Sequence, residues 1–307
     1  MGNPGSIVAL VVGAAGFIGS NVTKTLYREG HEVRALDLFM PNGMSHFADW
    51  TIGSTSDETL FAKVAQGCDI VYYLSGSSIP ASGNTNISSE IDSHVRLCVK
   101  CAEICKDIDV KTFVFASSGG AVYGDNSYEP LKENHLTKPL NAYGVSKLSI
   151  ENYLRVISNL YEIRTISMRI SNPYGEGQRS DRSQGFIAAV MSAIKYDKEL
   201  PIWGDGSVVR DFIYIDDVAK AFARCATYDG SSNTINIGSG IGHSLIDIVK
   251  QIELICNKKV KIAFQGNRKI DPGRNVLDIS LARNTLNWRP EIDLKTGLAK
   301  TLEWWNI

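Results

Sequence analysis

The sequence carries almost no net charge, and neither sign is in excess. Lysine and arginine number 32 against 33 aspartates and glutamates, which gives the 307 residues a formal net charge of -1. Binding to nucleic acid or to an anionic membrane over a broad face requires a basic surplus. We therefore expect neither partner, and we expect an anionic ligand to be held locally by a few arginines. The predicted partner is a small molecule.

Long apolar runs are also missing. No run approaches the roughly 20 residues of a membrane-spanning helix, and residues 1–6 lack the apolar segment of a signal peptide. These absences predict a cytoplasmic protein without membrane association. The composition, 44% hydrophobic and 21% charged, is that of a globular chain long enough for one large lobe and one smaller lobe.

Cysteine is scarce and is not arranged for a metal. Of the six cysteines, Cys98, Cys101 and Cys105 fall at i, i+3 and i+7 of a helical pattern and are predicted to be buried thiols. The first two have the spacing of half a zinc site, but no second pair of Cys or His accompanies them. Neither a metal site nor a disulfide is expected.

A glycine turn between a strand and a helix is the first motif present. An apolar run over residues 7–12 predicts a strand, and an amphipathic stretch ending at Glu29 predicts a helix. The residues of the turn are Gly13, Gly16, Phe17, Ile18 and Gly19. Such glycines let the backbone approach a pyrophosphate, whose charge is attracted by the N–H groups that open the helix. The next strand ends in Asp37, where a carboxylate binds ribose hydroxyls and would repel a 2′-phosphate, so the unit predicts NAD rather than NADP.

Strands and helices continue to alternate. Strands are predicted at 69–74 and 112–116, with a long helix at 90–106 between them. This order predicts an α/β fold with a doubly wound parallel sheet, whose ligands lie beyond the carboxyl ends of the strands. The residues predicted to lie there are Gly13, Asp37, Ser75 and Ser118.

Tyr143 and Lys147 place a phenol and an ammonium four residues apart. On a helix, predicted here to run to about residue 159, the two side chains share one face. Tyrosine is a poor base at neutral pH because its ordinary pKa is about 10, but a nearby cation favours the phenolate and lowers that pKa. The pair is therefore predicted to move a proton beside the dinucleotide.

Four motifs together resemble the extended short-chain dehydrogenase/reductases. They are Gly13-x-x-Gly16-x-x-Gly19, Ser117-Ser118-Gly-Gly-Ala-Val-Tyr123-Gly124, Tyr143-x-x-x-Lys147 and Arg169-x-x-Asn172-Pro173-Tyr174-Gly175. Within that superfamily the chain is most similar to NAD-dependent nucleotide-sugar epimerases of the UDP-galactose 4-epimerase type. The resemblance covers essentially the full length. It implies a Rossmann domain at 1–172, rejoined by roughly 212–238, and a smaller α/β substrate-binding domain at 173–211 and 239–307.

The resemblance also assigns roles to single residues. The catalytic residues would be Ser118, Tyr143 and Lys147. NAD would be bound by Gly13, Gly16, Phe17, Ile18, Gly19, Asp37, Leu74, Ser75, Ser117, Tyr143 and Lys147. The UDP-sugar would be bound by Ser118, Asn172, Trp203, Arg210, Arg268 and Asn275.

The chemistry of the substrate residues agrees with these roles. The guanidinium groups of Arg210 and Arg268 suit phosphate oxygens, and the indole of Trp203 can stack on a pyrimidine. The alternatives are a surface ion pair for either arginine and a plain core position for Trp203. In relatives the position of Asn275 lines the pocket beside the sugar C2 substituent. An asparagine would leave room for an N-acetyl group and could hydrogen-bond it, unless the side chain faces solvent.

Three departures from the family pattern stand out. The usual catalytic Ser or Thr, four residues before Tyr123, is Gly119, so the hydroxyl role passes to Ser118 or Ser117. The acidic residue that usually binds the adenine amine is Ser54. The Asn-x-x-Gly-Thr signature of the long helix is missing around residues 92–96.

The resemblance implies a 4-epimerase of a UDP-hexose or UDP-N-acetylhexosamine, in which the C4 hydride passes to NAD and returns on the other face of a rotated 4-keto sugar. Dehydratases and decarboxylases of the family usually carry a carboxylate just after the catalytic hydroxyl, where Gly119 and Gly120 stand here. A non-catalytic NAD-binding regulator is a further alternative, disfavoured by the intact Tyr143 and Lys147. A homodimer is expected, because relatives pair the helices predicted at 90–106 and 142–159 into a four-helix bundle.

Overall fold

A computed structural model describes residues 6–76, 87–125, 130–179, 185–266 and 273–307. Of the predicted site residues, Arg268 lies outside this range.

Thirteen strands are seen in the described residues. They are β1 (Val8–Val12), β2 (Glu32–Asp37), β3 (Asp49–Ile52), β4 (Ile70–Tyr73), β5 (Thr112–Ser118), β6 (Arg164–Ile170), β7 (Asn172–Tyr174), β8 (Glu199–Trp203), β9 (Val209–Tyr214), β10 (Thr234–Ile237), β11 (Gly242–Ser244), β12 (Lys261–Gln265) and β13 (Arg274–Asn275). Seven of them form a wholly parallel sheet in the order β10-β6-β5-β4-β1-β2-β3.

The helices of the described residues are α1 (Phe17–Arg28), α2 (Glu58–Ala65), α3 (Ile87–Glu90), α4 (Leu97–Asp107), α5 (Gly119–Val122), α6 (Ala142–Leu160), α7 (Phe186–Lys195), α8 (Ile215–Arg224), α9 (Leu245–Cys256), α10 (Ser280–Thr285) and α11 (Leu294–Trp305). Among them none is both long enough and apolar enough to cross a bilayer.

Strand β1 shows why the large sheet is covered on both faces. Its residues are apolar at every position, and alternate side chains enter different cores. Ala9 and Val11 belong to the core beneath α1 and α8, whereas Leu10 and Val12 belong to the core beneath α2, α4 and α6. Helices on both faces of a parallel sheet confirm the predicted doubly wound α/β fold.

The remaining strands build a smaller unit. Strand β9 pairs with β11, β13 and β7, while β8 pairs with β12. The chain returns to the large sheet at β10, which pairs with β6 as predicted. Because all of β9 belongs to the small sheet, that strand crosses the proposed domain boundary at residue 212, and the division into two domains stays a proposal.

The long helix predicted at 90–106 is not a regular α-helix. Its first part is a π-helix at Ile91–Arg96, between α3 and α4. A π-helix has i→i+5 hydrogen bonds. Short π segments are rare in proteins, and those that occur are often found at functional sites. This segment packs against α6, which bears Tyr143 and Lys147.

Candidate active site

The glycine turn after β1 is built for close backbone approach. Gly13 has a φ of +81°, and a Cβ atom there would lie 2.7 Å from the Ser75 nitrogen. A Cβ at Gly19 would lie 2.0 Å from the Gly13 oxygen, so a side chain at either position would push the turn apart. Helix α1 then begins at Phe17 with no side-chain cap and no acidic residue in its first turn. Its first N–H groups form an N-terminus suited to a phosphate anion.

Asp37 closes this end of the sheet as the last residue of β2. Its carboxylate accepts hydrogen bonds from the backbone N–H groups of Ala15, at 2.9 Å, and Leu38, at 2.7 Å. The carboxylate is thereby fixed beside the glycine turn. Leu74 and Ser75 follow β4, where Leu74 donates its N–H to the Val12 oxygen at 2.9 Å. The predicted cofactor residues thus meet at the carboxyl edge of three adjacent strands.

Tyr143 lies in the first turn of α6. Asn141 caps the helix by accepting the Gly144 N–H at 2.8 Å. A Cβ at Gly144 would lie 2.7 Å from the Ala121 oxygen, so the missing side chain lets α6 approach α5 closely. This approach brings the Tyr143 phenol beside the Ser118 hydroxyl, which lowers the pKa of the phenol.

The environment of the phenol differs from the sequence-based prediction. Burial raises the pKa of Tyr143 to about 12, the hydrogen bond from Ser118 lowers it, and the Glu90 carboxylate raises it. The prediction that the neighbouring ammonium would dominate was wrong for the protein without ligand. Desolvation of the phenolate outweighs the hydrogen bonding from Ser118.

Lys147 lies one turn further along the same face of α6. Its ammonium donates to the Ala116 oxygen at 2.8 Å and lies 4.6 Å from the centre of the Phe115 ring. Burial lowers the pKa of Lys147 to about 8, while Cys98, Glu151 and Glu90 act to raise it.

Ser117 faces a different set of groups. Its hydroxyl donates to the buried Glu151 carboxylate, which is also paired with Arg169 at 2.7 Å. Arg169 in turn donates to the hydroxyl of Tyr123 at 2.9 Å. Of the two serines proposed for the catalytic hydroxyl, the geometry therefore favours Ser118.

The small sheet brings three of the predicted substrate residues to one face. Arg210 on β9 is directly opposite His243 on one side and Asn275 on the other, and directly opposite residues point to the same face. Asn172 is directly opposite Phe212. Phe212 is two residues after Arg210 on the same strand and points to the same face, so Asn172 also shares this face. The Nδ2 of Asn172 donates to the backbone oxygen of Asp211 at 3.0 Å.

Two of the alternatives from the sequence can now be judged. Trp203 is 40% exposed at the end of β8, which excludes a plain core position. Asn275 is fully buried rather than facing solvent, and its Nδ2 donates to the Gly119 oxygen at 3.1 Å. Its Oδ1 has no hydrogen-bond partner in the described part of the chain.

Comparison with known proteins shows the family of the chain. The chain matches the model of the NAD dependent epimerase/dehydratase family over residues 9–238. It belongs to that family. A dTDP-4-dehydro-6-deoxyglucose reductase of Escherichia coli is 32% identical, and the match covers 96% of each chain.

Solved structures of family members are similar over nearly the whole chain. A UDP-glucose 4-epimerase of Thermotoga maritima, with UDP-glucose, has a TM-score of 0.92 and 28% identity, covering 98% of this chain and 99% of that one. A UDP-N-acetylglucosamine 4-epimerase of Methanobrevibacter ruminantium, in complex with UDP-N-acetylmuramic acid, has a TM-score of 0.92 and 25% identity, covering 98% of each chain.

Membership of the NAD dependent epimerase/dehydratase family confirms the NAD prediction. The residues present fit this cofactor. The cradle at Gly13, Gly19 and Ser75 has no space for a Cβ, the start of α1 is uncapped, and Asp37 is fixed beside both. No cluster of three or more metal-ligating side chains occurs in the residues that the structure describes.

Sequence reasoning missed three residues near the site. Glu90 and His94 lie on the helical segment packed against α6. The Glu90 carboxylate raises the pKa of Lys147, and the Lys147 ammonium lowers the pKa of His94. His243 shares its sheet face with Arg210. The spacing of Glu90 and His94, i and i+4 on a helix, was the available signal, but only the fold shows that they point inward. For His243 the strand register was needed.

Proposed function

We propose that the chain is a reversible 4-epimerase of a UDP-hexose or a UDP-N-acetylhexosamine. The observation that carries the proposal is that the Ser118 hydroxyl lies beside the Tyr143 phenol and lowers its pKa, while the partly buried Lys147 ammonium lies on the same helix face as Tyr143. The similarity to UDP-sugar epimerases supports the substrate class.

In this mechanism Tyr143 takes the proton from the C4 hydroxyl of the sugar and returns it after the configuration has changed. Ser118 donates a hydrogen bond to the C4 oxygen while that oxygen is a carbonyl. Its position beside Tyr143 places both groups at the C4 oxygen. When bound, NAD supplies the hydride acceptor of the oxidation and, through its cationic nicotinamide, a charge that favours the phenolate.

Lys147 has two tasks in this scheme. Its ammonium is anchored on the Ala116 oxygen at the end of β5, so it can bind the nicotinamide ribose from a fixed position. Its positive charge also favours the phenolate form of Tyr143, against the effect of burial. Loss of the ammonium proton would remove both contributions.

Reversal at C4 requires the sugar to rotate while the nucleotide stays bound. We assign the grip on the diphosphate to Arg210 and Arg268, and the stacking on the base to Trp203. Asn172 and Asn275 share the sheet face of Arg210 and are assigned to the sugar diphosphate and the C2 substituent. Gly120 has no side chain, and a Cβ atom there would lie 3.9 Å from Ser118 Oγ. The missing side chain leaves space beside Ser118 and so supports free rotation of the 4-keto sugar.

Other reactions of the family are the second candidate. One relative of the chain is named a reductase, so similar sequences are associated with different reactions. Elimination of water needs an acid and a base at C5 and C6, and Gly119-Gly120 provides no carboxylate directly after Ser118. The same absence disfavours decarboxylation. A non-catalytic regulator is disfavoured by the intact Ser118, Tyr143 and Lys147.

Incubation with UDP-galactose, UDP-glucose and their N-acetylamino counterparts in D2O tests the proposal. We expect chromatography to show the C4 epimer of at least one substrate, with unchanged mass and no deuterium in the sugar, because the C4 hydrogen returns as hydride. A product lighter by one water would identify a dehydratase, whereas a decarboxylase would leave these substrates unchanged because none of them carries a sugar carboxylate. A reductase of 4-keto sugars would also leave these substrates unchanged, because none of them has a ketone for NADH to reduce. Tyr143→Phe serves as the inactive control.

Two further properties stay proposals. A homodimer is supported by the apolar stripe that α6 leaves exposed: Val145, Tyr153, Val156 and Leu160 are 49–67% exposed. A second copy of this helix would cover them. We also propose a cytoplasmic location, in which NAD and UDP-sugars are both available.

A further inference from the structure

Two acid–base pairs on one helix differ sharply in their surroundings. Glu90 and His94 lie 3.8 Å apart, between Oε1 and Nε2, and their side chains are 7% and 12% exposed. Asp92 and Arg96 have the same spacing and the same 3.8 Å separation, but their side chains are 74% and 64% exposed. The first pair is therefore directed into the protein and the second into solvent.

The buried pair faces the active site. A Cβ built on Gly76 would lie 3.9 Å from His94 Cε1 and 4.0 Å from Lys147 Nζ, so the imidazole and the ammonium approach the same small space. That space directly follows Ser75, at the carboxyl end of β4. Glu90 acts electrostatically on both Tyr143 and Lys147.

The local backbone accounts for this placement. Glu90 is the last residue of α3, and His94 lies inside the π-helix at Ile91–Arg96. A π-helical turn holds one residue more than an α-turn, so the side chains that follow are rotated relative to a regular helix. Short π segments of this kind recur at functional sites, where they re-aim side chains.

We propose that Glu90 and His94 form a positioning pair for the active site, in which the buried Glu90 carboxylate, with the His94 imidazole beside it, keeps Lys147 in its ammonium form. The inference rests on the proposed function, because Lys147 matters there as a cation. Neither residue of the pair is required to touch the substrate.

The other groups that raise the pKa of Lys147 carry little uncompensated negative charge. Burial lowers the pKa of Lys147, and Cys98, Glu151 and Glu90 oppose that shift. The charge of Glu151 is offset by its ion pair with Arg169. Cys98 is neutral, because burial raises the pKa of its thiol well above the ordinary value.

His94 and Tyr143 complete the set of titratable groups. Burial lowers the pKa of His94, the Glu90 carboxylate raises it and Lys147 lowers it, so His94 is neutral above neutral pH and offers Glu90 a polar neighbour without a second cation. Burial raises the pKa of Tyr143, and the Glu90 carboxylate raises it further. Removing the Glu90 charge therefore lowers the pKa of both Lys147 and Tyr143.

Competitive acetylation of Lys147, followed by peptide mass spectrometry across a pH series, measures this effect directly on the full chain. In Glu90→Gln we expect the midpoint of Lys147 reactivity to fall by on the order of one pH unit. Asp92→Asn, which removes the exposed carboxylate of the same helix, should leave the midpoint in place. Glu90→Asp, which keeps the charge, should restore most of the shift.

The corresponding pH profile of UDP-sugar turnover should move in the same direction. Both limbs of the profile in Glu90→Gln are expected to lie at lower pH than in the wild type. A merely structural role of Glu90 would reduce turnover without moving either limb. An unmoved Lys147 midpoint in Glu90→Gln, or an equal shift in Asp92→Asn, overturns the proposal.

A second pair of variants covers the case in which Glu90→Gln does not fold. His94→Gln removes the neighbour of Glu90 and should shift the Lys147 midpoint down by less than Glu90→Gln would. Arg96→Gln is its exposed control and should cause no shift; equal behaviour of the two variants overturns the proposal. If Lys147 titrates as expected but no UDP-sugar is epimerised, the proposed function fails and the role of the pair stands.

Discussion

Leu277 occupies the space that a side chain at Gly119 would fill. A Cβ at Gly119 would lie 2.6 Å from Leu277 Cδ1 and 3.2 Å from the Arg169 oxygen. Position 119 is where relatives usually carry the catalytic Ser or Thr. In this chain Leu277, two residues after β13, fills the space that this side chain would take. The hydroxyl beside the Tyr143 phenol is that of Ser118.

Gly119→Ser should therefore destabilise the protein rather than restore a catalytic hydroxyl. We expect a loss of about 1–3 kcal/mol in the free energy of unfolding, because a tightly packed site is overfilled. Leu277→Ala alone should cost about 2–5 kcal/mol as a cavity. The double variant should be more stable than the sum of the two losses predicts, as measured by urea denaturation. Strict additivity would show that the two positions do not compete for the same space.

The two serines at the end of β5 should separate catalysis from stability. Ser118→Ala is expected to reduce kcat by about 10²–10⁴-fold, as is Tyr143→Phe, with UDP binding nearly intact. Ser117→Ala should mainly lower the unfolding free energy, by about 1–3 kcal/mol, because Glu151 loses a buried hydrogen bond. Steady-state kinetics, UDP titration and denaturation on all three variants provide the measurement. A larger kinetic loss in Ser117→Ala than in Ser118→Ala would reverse the assignment.

Much of this molecule could be predicted from its sequence, because the informative signals are local. The apolar run of β1, the glycine turn and the carboxylate at Asp37 each lie within a short segment with a defined period or spacing. Leu277 could not be placed against Gly119 in this way, since 158 positions separate them in the chain. The pKa of Tyr143 was predicted in the wrong direction because burial depends on the whole fold. His94 lies in a π-helix that directly follows Glu90, and no composition rule anticipates such a segment.

Lys147 should give the ligand-free protein a distinctive dependence of stability on pH. Burial lowers the pKa of Lys147 to about 8 in the folded state, below the unfolded value of 10.5. Between these values the unfolded chain binds the proton and the folded chain does not, so the contribution of Lys147 to stability rises with pH across this window. We expect a rise of roughly 2–3 kcal/mol that is absent in Lys147→Met. Urea denaturation of both proteins at pH 8 and pH 10 measures the difference, and parallel curves would contradict the burial of an ionisable ammonium.

The exposed stripe on α6 predicts the oligomeric state. Light scattering should give twice the chain mass of 33.6 kDa. Leu160→Glu, which places a charge on a stripe residue that is 67% exposed, should yield the monomer mass. Leu254→Glu is a matched control, because Leu254 is 82% exposed on α9, away from the stripe. Monomeric wild-type protein, or dissociation by both substitutions, would contradict the proposed interface.

Asn275 predicts which sugars the enzyme prefers. Its Nδ2 is engaged by the Gly119 oxygen, whereas its buried Oδ1 lacks a hydrogen-bond partner among the described residues. An unsatisfied buried acceptor costs about 1–3 kcal/mol, and a ligand N–H recovers this energy if substrate binding opens the pocket onto the Oδ1 atom. The amide N–H of a 2-acetamido group is such a donor, and a plain 2-hydroxyl is a weaker match. We therefore expect kcat/KM to favour the UDP-N-acetylhexosamine over the UDP-hexose by about tenfold or more.

Substitution at Asn275 tests this preference, and the burial of the side chain decides which variants are useful. Asn275→Tyr should depress kcat/KM for the N-acetylated substrate far more than for UDP-galactose, but a tyrosine also overfills a fully buried site. Asn275→Ala creates space instead, and by removing the acceptor it should still abolish the preference. Asn172→Ala is the control, because a residue assigned to the diphosphate should affect both substrates alike. If Asn275→Ala keeps the wild-type ratio of kcat/KM values, the unpaired oxygen does not read the C2 substituent and specificity must be set elsewhere in the pocket.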